Sequence, residues 1–109
     1  MEYRINRTTG DRISVIGLGT SYICDASERE AVDALTFAYE NGVNHADLAT
    51  AKAGTFAYYG AAFASVRKNI RYQVHFGANY ETGEYGWSTD LDTVKRSVDW
   101  QLTQLKTDY

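Results

Sequence analysis

An aspartate, Asp47, follows directly after a short stretch that predicts a β-strand, within the segment GVNHADLATAK of residues 42–52. The residues around it are small, apolar or neutral, apart from Lys52, five positions further on. A carboxylate at the end of a strand either caps the following turn, where Asp is common, or belongs to a functional site. The residues alone leave both interpretations open.

Two other side chains are candidates to share chemistry with that carboxylate. His75 ends a second predicted strand. It is either a neutral histidine hydrogen-bonded at the strand end or a cation and proton carrier, because the ordinary pKa of imidazole is about 6.5. Lys52 is either a solvated loop charge or a catalytic cation. His45 lies two positions before Asp47 on the same strand face and is better explained as a core or interface histidine.

The elements that must position these residues are strands alternating with helices. Residues 3–15 predict a β-hairpin that turns at Gly10, and residues 15–19 predict a buried strand ending in glycines. Ser27 and Glu30 form a capping box that begins a helix. The helices are predicted over about 28–41, 55–66 and 89–106, and the later strands over 43–49 and 70–76.

Two further patterns carry structural predictions. The last helix has an apolar stripe at steps of three and four residues, formed by Leu91, Val94, Val98, Leu102 and Leu105. The glycine-rich loop before it, which contains NYETGEYGW, is rich in tyrosine. Its aromatic residues either line a substrate pocket or fill space over the core, and we favour the second interpretation.

Alternation of strands and helices predicts an α/β fold with a parallel sheet and right-handed crossovers, in one domain over residues 1–109. In such sheets the functional groups lie at the carboxyl ends of the strands. Asp47 and His75 are both predicted at strand ends, so both are candidates for one site.

Composition excludes several classes of function. The net charge is −3 with acids and bases mixed along the chain, so a nucleic-acid partner is disfavoured. No apolar run approaches the roughly 20 residues of a membrane span, and no signal-peptide pattern opens the chain. The single cysteine, Cys24, rules out an internal disulfide and offers no metal-ligand spacing, so we expect no metal site and a cytoplasmic location.

Four segments of the chain resemble the aldo-keto reductases, in order and at the right spacing. They are MEYRINRTTGDRISVIGLGTS, EAVDALTFAYENGVNHADLA, YYGAAFASVRKNIRYQVHFGA and LDTVKRSVDWQLTQLKTDY. They are similar to that family's N-terminal hairpin and first strand, its first helix and second strand, its second helix and third strand, and its third helix. The segment HFGANYETGEYGW is most similar to a branch of that family from anaerobic bacteria.

The resemblance implies a partial TIM (β/α)8 barrel, in which an N-terminal hairpin precedes three βα units. It also implies reduction of a small carbonyl substrate with NADPH by a tetrad of Asp, Tyr, Lys and His. In that tetrad the tyrosine donates a proton to the carbonyl oxygen. A phenol has an ordinary pKa of about 10, so a cationic neighbour must make it a stronger acid.

Residue by residue, the resemblance places Asp47 at the family's aspartate. The tyrosine position holds Lys52, and the lysine position holds His75. The fourth position would lie beyond residue 109. Gly19 and Thr20 match the segment that runs beside the nicotinamide ribose. The resemblance therefore implies Asp47, His75 and Lys52 as catalytic candidates, and Gly19, Thr20 and Asp47 as cofactor contacts.

A (β/α)8 barrel takes roughly 250 residues. We therefore expect a polypeptide of this length to be a fragment or to form a homo-oligomer through its exposed strand edges. We also expect it to bind NADPH weakly and to turn over little substrate alone, because in this family most contacts to the adenosine phosphate come from the second half of the barrel. The alternative is a non-catalytic half-barrel module that binds itself or a protein partner.

Overall fold

The computed structural model describes the whole chain, residues 1–109. Its strands are β1 (Tyr3–Ile5), β2 (Arg12–Ser14), β3 (His45–Asp47), β4 (Arg71–Gln73), β5 (Ala78–Asn79) and β6 (Gly86–Trp87). Its helices are α1 (Glu28–Glu40), α2 (Thr55–Phe63) and α3 (Leu91–Gln104), with 3-10 turns at Ile23–Asp25 and Ala64–Asn69. None of these helices has the length and apolar character that a membrane crossing requires.

A short parallel sheet forms the centre of the molecule. Strands β3 and β4 pair in parallel, with Asp47 opposite Gln73. Leu18 adds a third parallel chain beside Ala46. Its N–H donates to the carbonyl oxygen of His45 at 2.9 Å, and its own carbonyl oxygen accepts from the N–H of Asp47 at 2.8 Å. The predicted mixed α/β class with a parallel sheet is therefore confirmed.

The N-terminal hairpin covers the amino ends of the parallel strands. Strands β1 and β2 are antiparallel, as predicted, and Gly10 allows the turn with a φ of 76°. The Asn44 side chain accepts from the N–H of Ser14 and donates to the carbonyl of Arg12, both at 2.8 Å. Arg71, which begins β4, pairs with Asp11 at 2.5 Å. These contacts fasten the hairpin to one end of the sheet.

Helix α1 begins and ends as its sequence predicts. The Ser27 hydroxyl accepts from the N–H of Glu30, and the Glu30 carboxylate accepts from the N–H of Ser27. Gly42 follows the helix with a φ of 93°, a conformation that favours glycine. The predicted helix over 55–66 is wrong at its end, because α2 stops at Phe63 and a 3-10 turn continues to Asn69.

Between the sheet and the helices lies a core of ten buried residues. Phe56 of α2 packs edge-on against Tyr80 and Trp100, with ring centroids 5.0 Å and 5.4 Å apart. Such pairs stabilise a core by about 1 kcal/mol beyond the area they bury. The core residues are Leu35, Ala46, Leu48, Phe56, Tyr59, Phe63, Ile70, Ala78, Tyr80 and Leu105.

The predicted buried strand over 15–19 is wrong. Val15 and Ile16 are 46% and 60% exposed, and only Leu18 of this stretch pairs with the sheet. After β2 the chain leaves the hairpin, and nothing in it covers these two side chains. The strand predicted over 70–76 is shorter, and the predicted loop after it contains the small antiparallel pair of β5 and β6.

The predicted apolar stripe of α3 is only partly buried. Leu91 is exposed, whereas Ser97 and Gln101 are buried. The donor groups of these two side chains form a chain of hydrogen bonds, whereas the Oε1 atom of Gln101 is buried without a partner. The Gln101 amide donates to the Ser97 hydroxyl at 3.1 Å, and that hydroxyl donates to the carbonyl of Ala78 at 2.5 Å. The helix rotation is thus selected by contacts with β5, which the sequence pattern did not reveal.

A substitution at Gly60 tests the close approach of α2 to the end of α3. A Cβ at Gly60 would overlap the carbonyl oxygen of Gln104 and approach the Cα of Leu105 to 3.2 Å. We expect Gly60→Ala to lower the free energy of unfolding by about 2 kcal/mol through overpacking. This would reverse the usual gain of about 1 kcal/mol for alanine over glycine in a helix. Urea denaturation measures the change.

Gly54→Ala is the matched control, because a Cβ there meets no heavy atom within 4 Å. It should change the free energy of unfolding by less than about 0.5 kcal/mol. Equal or higher stability of Gly60→Ala would contradict the packing described here.

A pH series tests the contact between hairpin and sheet. The Arg71 guanidinium, through its hydrogen bond, lowers the pKa of Asp11 from 3.8 to about 2. Because the folded-state pKa is depressed, this contact stabilises the fold above pH 3.8, and the stabilisation is lost as the pH falls through about 2. We expect wild type to exceed Asp11→Asn in unfolding free energy near neutral pH, with the difference disappearing in acid. Asp99→Asn controls for the loss of an exposed negative charge.

Candidate active site at the carboxyl ends of the parallel strands

Asp47 and His75 are in direct contact at the carboxyl ends of β3 and β4. The Nε2 atom of His75 lies 2.6 Å from the Oδ1 atom of Asp47. The register explains the meeting, because Asp47 is opposite Gln73, and His75 lies two residues further along. Residues two apart share a strand face, so the imidazole lies diagonally across from the carboxylate.

The contact gives the imidazole a defined orientation. When Nε2 carries its proton, it donates to the carboxylate, and Nδ1 has no hydrogen-bond partner in the chain. A protonated imidazole would instead form an ion pair there and present Nδ1–H as a second donor. The side chains of His75 and Asp47 are 39% and 47% exposed, so other molecules have access to both.

The structure does not bring Lys52 into this pair. Its ammonium donates to the Oδ1 atom of Asp25 at 2.6 Å, and that hydrogen bond raises the pKa of Lys52. It forms no hydrogen bond with Asp47 or His75. The predicted catalytic role of Lys52 therefore has no supporting contact in this structure.

Gly19 and Thr20, the predicted cofactor contacts, differ in their availability. The Thr20 side chain is buried, and its hydroxyl donates to the carbonyl of Ala49 at 2.8 Å. Gly19 is exposed, with no heavy atom within 4 Å of the position that a Cβ would take. Its carbonyl accepts from the hydroxyl of Tyr59 at 2.8 Å, and burial raises the pKa of that tyrosine. Tyr59 thus fixes the position of the Gly19 backbone.

A cavity of about 310 Å³ lies beside His75. Its other walls are residues 49–51, which follow β3, and Tyr85. A larger cavity of about 560 Å³ lies at the opposite end of the sheet. Two of its cations are already engaged, because Arg12 stacks over Tyr3 and Arg71 pairs with Asp11. The smaller cavity is the one that adjoins the Asp47–His75 pair.

The tyrosine-rich loop both fills space over the core and lines a cavity, the two roles that the sequence left open. Tyr80 is buried, its hydroxyl donates to the carbonyl of Thr50 at 3.1 Å, and burial raises its pKa. Tyr85 instead lines the cavity beside His75. Sequence reasoning identified the loop but not the residue, because the path of the loop depends on its pairing with a distant segment.

No family model matches the chain, and no curated protein matches it by sequence. Two solved structures, each described as an aldo-keto reductase from Pseudomonas aeruginosa, match with TM-scores of 0.78 at 26% and 27% identity. They cover 97% of this chain, and it covers 42% and 43% of theirs. The chain resembles the aldo-keto reductases.

A third aldo-keto reductase structure, from Bacillus halodurans in its holo form, has the same fold. It matches with a TM-score of 0.76 at 24% identity, over 100% of this chain and 38% of that one. The chain therefore spans about two fifths of the length of these aldo-keto reductases, and the match lies in their N-terminal portion. The fold likeness supports a general relationship to aldo-keto reductase oxidoreductases.

Proposed function

We propose that this chain forms the N-terminal part of a (β/α)8 barrel that reduces a small carbonyl substrate with NADPH in the complete protein. The likeness to aldo-keto reductases over nearly the whole chain supports the fold part of the proposal. The observation that carries the catalytic part is the 2.6 Å contact between Asp47 and His75. Two positions implied by the family resemblance meet there, at the end of the sheet where such barrels place their chemistry.

The proposal gives Asp47 and His75 complementary roles. The Asp47 carboxylate holds the Nε2 atom of the imidazole and so fixes the orientation of the ring. His75 then provides a hydrogen-bonding imidazole at the position that holds a lysine in the family. Lys52 could act as a catalytic cation only after its ammonium leaves Asp25, so the proposal gives it a smaller role than Asp47 or His75. The proposed compartment is the cytosol, in keeping with the single unpaired cysteine.

The residues present fit the nicotinamide end of the cofactor in part. Asp47 is half exposed, and its Oδ2 atom has no partner, so it can accept from a ribose hydroxyl. Gly19 leaves open space beside its backbone. Thr20 does not fit this role, because its hydroxyl proton is donated to Ala49. When bound, the nicotinamide supplies hydride, while the chain's own residues orient the carbonyl and deliver a proton.

Variants of the pair test the proposed function. The gene product as encoded is assayed with NADPH, and with NADH in parallel, against a panel of aldehydes and ketones. We expect Asp47→Asn and His75→Gln each to lower kcat/KM by about 100-fold, the usual contribution of a positioned acid or base. Asp99→Asn, an exposed residue on α3, should leave it unchanged. Carbonyl reduction unaffected by either pair variant would refute these assignments.

Self-association is a second proposal for the 109-residue polypeptide. The outer edge of β4 has no strand partner. The large apolar side chains of Ile16, Phe76 and Trp87 are 60%, 72% and 65% exposed. Unpaired edges and apolar side chains favour pairing with a second copy, which would form the non-catalytic module of the alternative interpretation.

Light scattering coupled to size exclusion tests the self-association at micromolar concentration. We expect a dimer or larger species. Phe76→Lys should shift it toward monomer by placing a charge in the proposed contact, while Tyr22→Lys should not, since Tyr22 is exposed elsewhere. A wild-type monomer at every concentration measured would contradict the proposal.

A further inference from the structure

We propose that the cavity beside His75 binds the carbonyl group of the substrate, and that Tyr85 is the residue that donates the proton to its oxygen. The inference rests on the carbonyl-reductase function proposed above. It departs from the assignment that the family resemblance implies, in which the phenol would stand at position 52, a lysine in this chain.

Backbone pairing brings Tyr85 to the site. The N–H of Tyr85 donates to the carbonyl of Ala51 at 2.9 Å, and Glu84 bridges to Lys52 in antiparallel register. The N–H of Ala53 donates to the carbonyl of Gly83, also at 2.9 Å. The loop is therefore paired with the segment that contains position 52. Tyr85, the residue before β6, is placed beside that segment.

The phenol of Tyr85 is available for chemistry. Its ring packs edge-on against Tyr80, with centroids 6.0 Å apart, and this contact restricts its position. Its hydroxyl forms no hydrogen bond within the chain, and the residue is 52% exposed. By contrast, the hydroxyls of Tyr59 and Tyr80 already donate to backbone carbonyls. Among these three tyrosines, only Tyr85 combines a free hydroxyl with a place in the cavity wall.

A second polar group lines the same cavity. His75 lines the same cavity, and its Nε2 atom is held by Asp47. The free Nδ1 atom is then the position through which the imidazole can donate to a ligand or return a proton to the phenol. Two donors that converge on one oxygen stabilise the negative charge that develops there during reduction.

The size and lining of the cavity indicate the substrate class. A volume of about 310 Å³ lies at the small end of the range for ligand pockets. His75 and Tyr85 are the two ionisable side chains that line the cavity, and residues 49 and 51 are alanines. We therefore assign it to a small, uncharged aldehyde or ketone.

When bound, a reduced nicotinamide would supply hydride to the carbonyl carbon, so that a C–H bond forms as the C=O π bond breaks. Its electron pair moves to oxygen, which takes the proton as the O–H bond of Tyr85 breaks. The product is an alcohol, and the two electrons of this reduction would come from the bound nicotinamide. The tyrosinate regains its proton from His75 or from solvent.

Benzamide binding tests the cavity without any turnover, because its uncharged carbonyl offers an oxygen to the same two donors. The 109-residue chain is titrated with benzamide and followed by NMR of its aromatic side chains. We expect Tyr85→Phe and His75→Gln each to weaken binding about fivefold, as the loss of one neutral hydrogen bond does. Tyr22→Phe, at a residue that is 91% exposed, should bind as wild type does. No binding by wild type, or equal binding by Tyr85→Phe, overturns the inference.

Kinetics of the gene product as encoded separate this inference from the proposed function. We expect Tyr85→Phe to lower kcat about 100-fold with little change in KM, because the proton is needed only in the transition state. If wild type reduces carbonyls and Tyr85→Phe keeps its kcat, the role of Tyr85 is wrong while the function stands. If wild type reduces none but benzamide binding depends on Tyr85, the carbonyl-binding cavity stands and the reductase function fails.

Discussion

The parallel register of three backbone segments is the constraint on which the rest of the structure depends. Leu18 shares two hydrogen bonds with β3, at His45 and Asp47, and β4 joins the other edge of β3. Parallel pairing requires each segment to return to the same end before it pairs again, and α1 and α2 supply those returns. The carboxyl ends consequently meet on one side, and the N-terminal hairpin covers the other.

The alternation of side chains along β3 divides structure from chemistry. Ala46 and Leu48 are buried in the core, whereas Asp47 between them is half exposed on the opposite face. The pleat imposes this division, because successive side chains of a strand point to opposite sides. A carboxylate can thus follow a core residue without entering the core. On the same face it meets His75, two residues beyond the end of the neighbouring strand β4, which gives an isolated acid a functional partner.

Sequence patterns were sufficient where a local interaction decides the structure. The capping box of Ser27 and Glu30, the turn at Gly10 and the alternation of strands with helices needed only neighbouring residues. Patterns failed where a distant contact decides. Val15 is an apolar residue in a segment that resembles a buried strand, but its side chain lies on a face that nothing in the chain covers. Helix α3 buries Gln101 and exposes Leu91, because its contact with β5 determines its rotation.

The candidate site shows the same division between sequence and tertiary structure. The sequence by itself determined that a carboxylate and an ammonium, those of Asp47 and Lys52, lie near the end of one strand and that the imidazole of His75 lies at the end of the next. Tertiary structure alone decided that the first two meet, that Lys52 pairs with Asp25 instead, and that Tyr85 reaches the same cavity. The reason is physical: local pattern determines the strand face of a side chain, but strand register and loop pairing arise from contacts between distant residues.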